Sequence, residues 1–319
     1  MDHKCLYCYE RLAGDEDFHE KCSLEFFGTP KPPKIEYSLD QMDELAKKVV
    51  ERSVSVPGVQ PKLSMSLVKK TKESGDSRLT VVGALSGQYI LKPPSDQYPE
   101  ISENEHVTMR IAASFKIPIV PSSLIRLSSG ELSYIIKRID RNEIGGKIHM
   151  IDMFQITEAF DKYRGSMEKV GKAVDSYSSN TLLDKTFYFD LALFSFLTGN
   201  NDMHLKNFSM IESASGWVLS PAYDLLNVAI VLPDDTEELA LTLEGKKKKL
   251  NRQNFEKLAE GLELTPRQIQ GSFNRALKNK PAALEWINRS FLSTGMKSLY
   301  KEVLERRYIQ LELKEQSGV

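Results

Sequence analysis

The 319-residue chain is 27% charged and 41% hydrophobic, with a formal net charge of −1. That length supports one large or two modest domains with a real core, and the near-neutral balance excludes a surface that binds nucleic acid over its whole extent. The opening MDHKCLYCYE lacks the basic start and apolar run of a secretory signal. The greasiest stretch, Thr181–Thr198, carries Asp184, Lys185 and Asp190, so it reads as a buried helix rather than a membrane span; a cytoplasmic chain is expected.

All three cysteines fall in the first 22 residues. CLYCYERLAGDEDFHEKC sets out Cys5, Cys8, His19 and Cys22 as C-x2-C, ten residues, then H-x2-C. Two closely spaced pairs of soft or borderline ligands suit a tetrahedral Cys3His zinc site, and a full set of four protein ligands points to a structural ion. So short a knuckle buries too little apolar surface to fold unaided. The alternative is two unrelated cysteine pairs in a loose terminus. GTPKPPK (28–34) reads as a proline-rich, semi-rigid linker, so zinc chelation is expected to loosen the knuckle and leave the rest folded. A helix is expected from Ser38 or Asp40 to Arg52, with Met42, Leu45 and Val49 at helical spacing.

A strand-rich region follows. KLSMSLVKK alternates apolar and polar residues, and RLTVVGAL and QYILKPP come after it, divided by Ser/Gly/Asp turns. ISENEHVTMRIAASF predicts a helix with Val107, Ile111, Ala112 and Phe115 on its inner face. SSLIRLSSGELSYIIKRID predicts a hairpin turning at Ser-Gly. The order is three strands, a helix and two more strands. After Arg141 the patterns turn helical: MIDMFQITEAF, TLLDKTFYFDLALFSFLTG, NRQNFEKLAEGL, TPRQIQGSFNRAL and ALEWINRSFL. The expected fold class is α+β, with a small β-rich lobe ahead of a larger α-helical lobe, divided as residues 1–28, 29–140 and 141–319.

The stretch LTGNNDMHLKNFSMI (197–211) carries more polar chemistry than a turn needs. Asp202 and Asn207 stand five apart, and SPAYDLLN supplies Asp224 seventeen residues later. Phosphoryl transfer from ATP needs one carboxylate to accept or orient the nucleophile's hydroxyl, and an amide oxygen and a second carboxylate to hold magnesium. D-x4-N followed by a separate Asp supplies these oxygens in the order protein kinases use. Lys206 beside them could neutralise transferred phosphate. His204 either takes part in the chemistry or fixes the loop by hydrogen bonding. In the β-rich lobe, Lys92 ends a strand and is expected to reach nucleotide phosphates. Glu105 either pairs with Lys92 or closes a capping box with Ser102. SVSVPGVQPKLS (53–64) could cradle phosphates on backbone N–H groups, although it holds one glycine, Gly58.

Three segments, SVPGVQPKLS, LTGNNDMHLKNFSMI and SPAYDLLN, resemble the HipA family of serine/threonine kinases in order and spacing, over roughly Glu51 to the C-terminus. The family's D-x-H-x-K-N signature stands here as Asp202, His204, Lys206 and Asn207. The resemblance implies an atypical, two-lobed protein-kinase fold. It implies Asp202 as catalytic base, with Lys206 and His204 beside it. Asn207 and Asp224 would bind magnesium, Lys92 would contact ATP phosphates, and the Gly58-Val59-Gln60 loop and the Lys137–Ile139 hinge would face the nucleotide. It also implies autophosphorylation of the loop at Ser55, with Ser53 as the second serine, which displaces the loop and blocks ATP. A phosphate there adds nearly two negative charges beside a triphosphate site. The chain resembles the shorter, HipT-like members, which lack the N-terminal subdomain of full-length HipA; in those members a separate small HipS-like protein takes that place. Expected partners are therefore a protein substrate such as an aminoacyl-tRNA synthetase, a HipB-like antitoxin and a HipS-like protein. G-x-G-x-x-G, D-F-G and A-P-E tracts are absent from the sequence.

Two other functions compete. A small-molecule phosphotransferase shares the Asp-x4-Asn loop but not the SVPGVQPK segment. A non-catalytic module could use the knuckle and Lys246–Lys249 to contact nucleic acid, but Glu16, Asp17 and Glu20 make the knuckle acidic, and the four lysines read rather as a solvated loop between helices.

Overall fold

The structure, a computed structural model, describes residues 3–42, 44–45, 61–69, 77–82, 86–142 and 144–313. The first part of the chain runs helix α1 (Glu20–Phe27), strands β1 (Lys34–Ile35), β2 (Leu63–Lys69), β3 (Ser77–Val81) and β4 (Tyr89–Lys92), helix α2 (Ile101–Ser114), then strands β5 (Ser122–Arg126) and β6 (Leu132–Lys137). Alternation makes the sheet one-sided: Leu63 and Met65 of β2 are buried while Ser64 and Ser66 are half-buried. The strands line up as β1-β3-β2-β4-β6-β5. Every pairing in that sheet is antiparallel except β1 with β3. The β5–β6 hairpin turns at Gly130, whose φ of +108° no L side chain adopts comfortably. Contacts gather into two units: Met1–His106, Val120–Lys147 and Arg289–Phe291 form the first, and Val107–Ile119, Ile148–Asn288 and Leu292–Val319 the second.

Two expectations for the first unit need correction. The proline-rich stretch is not linker to its end, because Lys34 and Ile35 pair with Arg78 and Leu79 as β1. Nor does the N-terminal knuckle hang free. Phe26 and Phe27 of α1 are buried and lie 5.9 and 6.0 Å from the Tyr89 ring of β4. Leu124 N donates to Leu6 O at 3.4 Å, and Arg126 holds Asp17 at 2.9 Å. Two fully buried phenylalanines contribute about 1.5–3 kcal/mol each, so loss of the knuckle destabilises the unit it packs into. The helix expected from Ser38 starts there: Ser38 and Gln41 exchange capping bonds at 2.9 and 3.4 Å, and residues 39–42 and 44–45 are helical. Its expected end at Arg52 lies outside the described residues.

The rest of the chain runs strand β7 (Met150–Asp152), helices α3 (Met153–Ile156), α4 (Met167–Tyr177) and α5 (Thr181–Leu197), strands β8 (Ser209–Ser213) and β9 (Gly216–Leu219), then helices α6 (Arg252–Gly261), α7 (Pro266–Arg289) and α8 (Thr294–Gln310). Helix α5 is the hub of the second unit. It buries Tyr188, Phe189, Phe194, Phe196 and Leu197 and packs on α4, α6, α8 and β9. None of the described helices is long and apolar enough to cross a membrane. The MIDMFQITEAF pattern is only partly helical: Met150–Asp152 pairs with β8, and Asp152 then caps α3 in a box with Gln155. The two patterns TPRQIQGSFNRAL and ALEWINRSFL are one 24-residue helix, α7, with Pro281 inside it. Proline removes one N–H and crowds the preceding turn, yet Ile269, Phe273, Ala276, Ala283 and Ile287 are all buried at three-four spacing, and that shared face keeps the helix running.

Candidate active site

The loop after α5 begins with a glycine at a position that strains and crowds any side chain. Gly199 has φ +70°, and a Cβ there would stand 2.7 Å from Asn227 Oδ1 and 2.8 Å from Val303 Cγ1. The chain then turns on its own polar groups. Asn200 N donates to Ser195 O at 2.8 Å, and His204 N to Asp202 O at 2.8 Å. Asn201 Nδ2 donates to Asp235 Oδ2 at 3.0 Å and Glu237 O at 3.1 Å. The spacing of five brings Asn207 back under Asp202: Asn207 Nδ2 donates to the Asp202 carbonyl at 3.0 Å. That bond uses the amide nitrogen and turns Oδ1 the opposite way, as a hard oxygen ligand requires.

Asp202 is half-buried, and Tyr163 Oη donates to its Oδ1 at 2.8 Å. The same tyrosine packs edge-on against His204, ring centroids 5.2 Å apart. His204 is 6% exposed, and its Nδ1 has no hydrogen-bond partner among the described residues. Burial lowers its pKa, while the Asp202 and Asp224 carboxylates pull the other way and Lys162 adds to the lowering. Burial wins, so the ring is held neutral between two acids and supports the loop by packing. Burial and the bond to Asp202 together push the Tyr163 hydroxyl up, keeping it a donor.

Asp224 reaches this group from a different segment. Ser220 N donates to Ser209 O, and Ala222 N to Pro118 O, both at 2.8 Å. Tyr223 donates to the Lys206 carbonyl at 3.0 Å and shares a hydrogen bond with Ser209. Asp224 itself sits at φ +54°, a left-handed conformation that aspartate tolerates at modest cost. Lys206 Nζ lies 4.7 Å from the Phe154 ring centroid. Asp202, His204, Asn207 and Asp224 thus gather into one cluster in the second unit. Tyr163, Asn201 and Tyr223 belong to its support; Asn201 and Tyr223 lie within the segments 197–211 and 220–227 that the sequence marks, whereas Tyr163 carried no signal. Tyr163 lies 39 residues from Asp202, and no local spacing marks it.

In the first unit, Lys92 Nζ and Glu105 Oε1 form an ion pair at 2.6 Å with side chains 5% and 2% exposed, and the ammonium stands 5.4 Å from the Tyr134 ring. The Ser102–Glu105 capping box does not form: Ser102 is already inside α2, and its buried Oγ has no partner among the described residues. A buried ammonium is the stronger claim on that carboxylate. Lys137 N donates to Pro121 O at 2.9 Å, so its N–H is already used, and its side chain lies 5.6 Å from the Phe26 ring, where burial lowers its pKa. Ile139 is half-buried. Ser53, Ser55, Gly58, Val59 and Gln60 lie outside the described residues. Of the four lysines, Lys247 pairs with Glu237 at 3.1 Å and Lys248 bonds Thr236, as in a solvated loop.

Cys5, Cys8, His19 and Cys22 place their ligand atoms within 4.8 Å of one another. His19 Nδ1 lies 3.4 Å from Cys8 Sγ and 3.8 Å from Cys22 Sγ. Tetrahedral zinc at its usual bond lengths sets such nitrogen–sulfur pairs about 3.6 Å apart. His19 Nε2 bonds the Arg11 carbonyl at 3.1 Å, the outer contact that fixes a ligating imidazole. The four residues fit a metal ion.

Comparison with known proteins decides the family. The family model for the HipA-like C-terminal domain matches residues 54–284. The chain belongs to this family. Among curated relatives, this HipA-family chain is 31% identical over 231 residues to the putative kinase Y4dM of Sinorhizobium fredii, covering 67% of this chain and 55% of the relative. It is 27% identical over 214 residues to the serine/threonine-protein kinase toxin HipA of Shewanella oneidensis, covering 60% of this chain and 47% of the relative. The chain therefore spans about half the length of these curated relatives. In the solved complex of Shewanella oneidensis MR-1 HipA, HipB and operator DNA, one chain is similar with a TM-score of 0.66 at 22% identity, covering 83% of this chain and 70% of that one. This likeness establishes a common fold, mixed α+β as described above.

Proposed function

We propose that this chain is a magnesium- and ATP-dependent serine/threonine protein kinase of the HipA type. The observation that supports it most is the Asp202–Asn207 fold-back, with Asp224 brought within electrostatic reach of the same His204 ring. Asp202 accepts and orients the acceptor hydroxyl, and Tyr163 holds its Oδ1. Asn207 and Asp224 are the magnesium ligands, both hard oxygen donors; the ion, when bound, neutralises phosphate charge. Lys206 offers a cation to the transferred phosphate, and His204 keeps the loop rigid as a neutral ring. In the first unit, Lys92, oriented by Glu105, contacts nucleotide phosphates. The cysteine–histidine knuckle takes a structural zinc ion.

By analogy with the relative named a serine/threonine-protein kinase toxin, the acceptor is a protein. Regulation by phosphorylation at Ser55 or Ser53 and an antitoxin of HipB type belong to the same reading. The decisive test uses purified protein and radiolabelled ATP. Wild type should label itself or a protein acceptor, and Asp202→Asn should lose at least a hundredfold in rate, the scale of a missing general base, while still binding MgATP. Equal labelling by the two proteins would refute the assignment, and turnover restricted to a small hydroxylated acceptor would favour a small-molecule phosphotransferase.

A further inference from the structure

The knuckle is wired to the Lys92–Glu105 pair through buried side chains of the first unit. Tyr9 directly follows the ligand residue Cys8. It stands at φ +63°, a conformation a bulky side chain avoids unless its surroundings impose it. The Cys5–Glu10 turn imposes it: Tyr9 N donates to Cys5 O and Cys5 N to Glu10 O, both at 2.9 Å. Arg289 Nη2 adds a bond to the Cys8 carbonyl at 3.0 Å. So held, the 2% exposed Tyr9 side chain shares a 2.7 Å hydrogen bond with Nδ1 of the fully buried His106, and the two rings meet edge to face at 5.2 Å. His106 follows Glu105 on α2. Its ring lies 6.4 Å from Tyr134, the ring that faces the Lys92 ammonium.

We propose that Tyr9 is a positioning residue for Lys92 and Glu105, and that a metal ion in the knuckle is what holds Tyr9 in place. The proposal rests on the reading of Lys92 as a phosphate contact and adds to it: nucleotide affinity depends on the metal state of the N-terminus. With the ion bound, the four ligands lock the turn that keeps Tyr9 in its strained conformation. Without it, the turn relaxes to ordinary backbone angles, Tyr9 leaves His106, and the first turns of α2 lose the anchor next to Glu105. Lys92 is then less well aimed.

The test uses the full zinc-loaded chain and titrates MgATP. Tyr9→Phe keeps the ring and deletes the bond to His106. It should retain zinc, measured by mass spectrometry of the native protein, and weaken MgATP affinity about three- to tenfold, the effect of one hydrogen bond. Amide exchange at residues 102–106 should quicken. Chelation of wild type should weaken MgATP affinity similarly, and return of Zn2+ should restore it. Because both perturbations cut the same connection, chelating Tyr9→Phe should add less than it does to wild type, a non-additivity that general loosening would not produce. Lys92→Ala is the control for the underlying reading. If Lys92→Ala binds MgATP weakly while Tyr9→Phe binds as wild type does, Tyr9 is not a positioning residue and the proposal is overturned with the nucleotide site intact. If Lys92→Ala binds as wild type does, the nucleotide reading falls, and the proposal with it.

Discussion

Neutralising Glu105 tests a deeply buried ion pair of the first unit. The pair is 2.6 Å long with side chains 5% and 2% exposed. Glu105→Gln keeps the volume and removes the charge, leaving the Lys92 ammonium buried with a neutral acceptor. Breaking a buried pair from one side costs about 3–5 kcal/mol. Unfolding entropy of about 2.1 cal/mol/K per residue, over the 319 residues of the chain, gives roughly 0.67 kcal/mol/K. The melting temperature should therefore fall by about 4–8 °C. The exposed pair Arg78–Glu36, at 3.0 Å with side chains 44% and 43% exposed, is the control: Glu36→Gln should cost less than about 1 kcal/mol. The double variant Lys92→Met with Glu105→Leu removes both charges and should recover most of the stability, because an apolar pair carries no desolvation cost. It should still fail to bind MgATP. Scanning calorimetry and MgATP titration of the four proteins separate the terms. A Glu105→Gln protein that melts within a degree of wild type would refute the reasoning, since the pair would then be neither dry nor structurally required.

Gly199→Ala forces an L side chain to φ +70° against Asn227 and Val303; strain and overpacking together should cost about 2–4 kcal/mol, read as a lower denaturant midpoint at unchanged slope. Burial holds His204 below its ordinary pKa of 6.5, so below that pH the unfolded chain binds a proton that the folded chain refuses. Stability should fall as pH drops through about 6.5, and His204→Gln should flatten that fall in denaturant titrations at pH 5.5 and 7.5. Cys22→Ser should abolish stoichiometric zinc and lower the melting temperature of the whole protein, because α1 is packed on β4 through Phe26 and Phe27; an unchanged melt would show that the knuckle folds without the ion.

Local pattern sufficed where a residue's partners are close in sequence. The alternation of Leu63 and Met65, the apolar run from Thr181 to Leu197, and the Asp202–Asn207 spacing each state their own geometry, because a strand repeats every two residues and a turn closes within five. The Cys/His spacing likewise announced a cluster whose four ligand atoms do converge. Tertiary packing decided the rest. It gave Glu105 to Lys92 and not to Ser102, because a buried charge outweighs a cap. It added Lys34–Ile35 to the sheet, since β3 offered an unpaired edge. It carried α7 through Pro281, since one buried face on both sides of the proline outweighs one missing hydrogen bond. It also brought Tyr163 to Asp202 and Tyr9 to His106, 39 and 97 residues apart, contacts that exist only once the chain has folded and that no periodicity can encode.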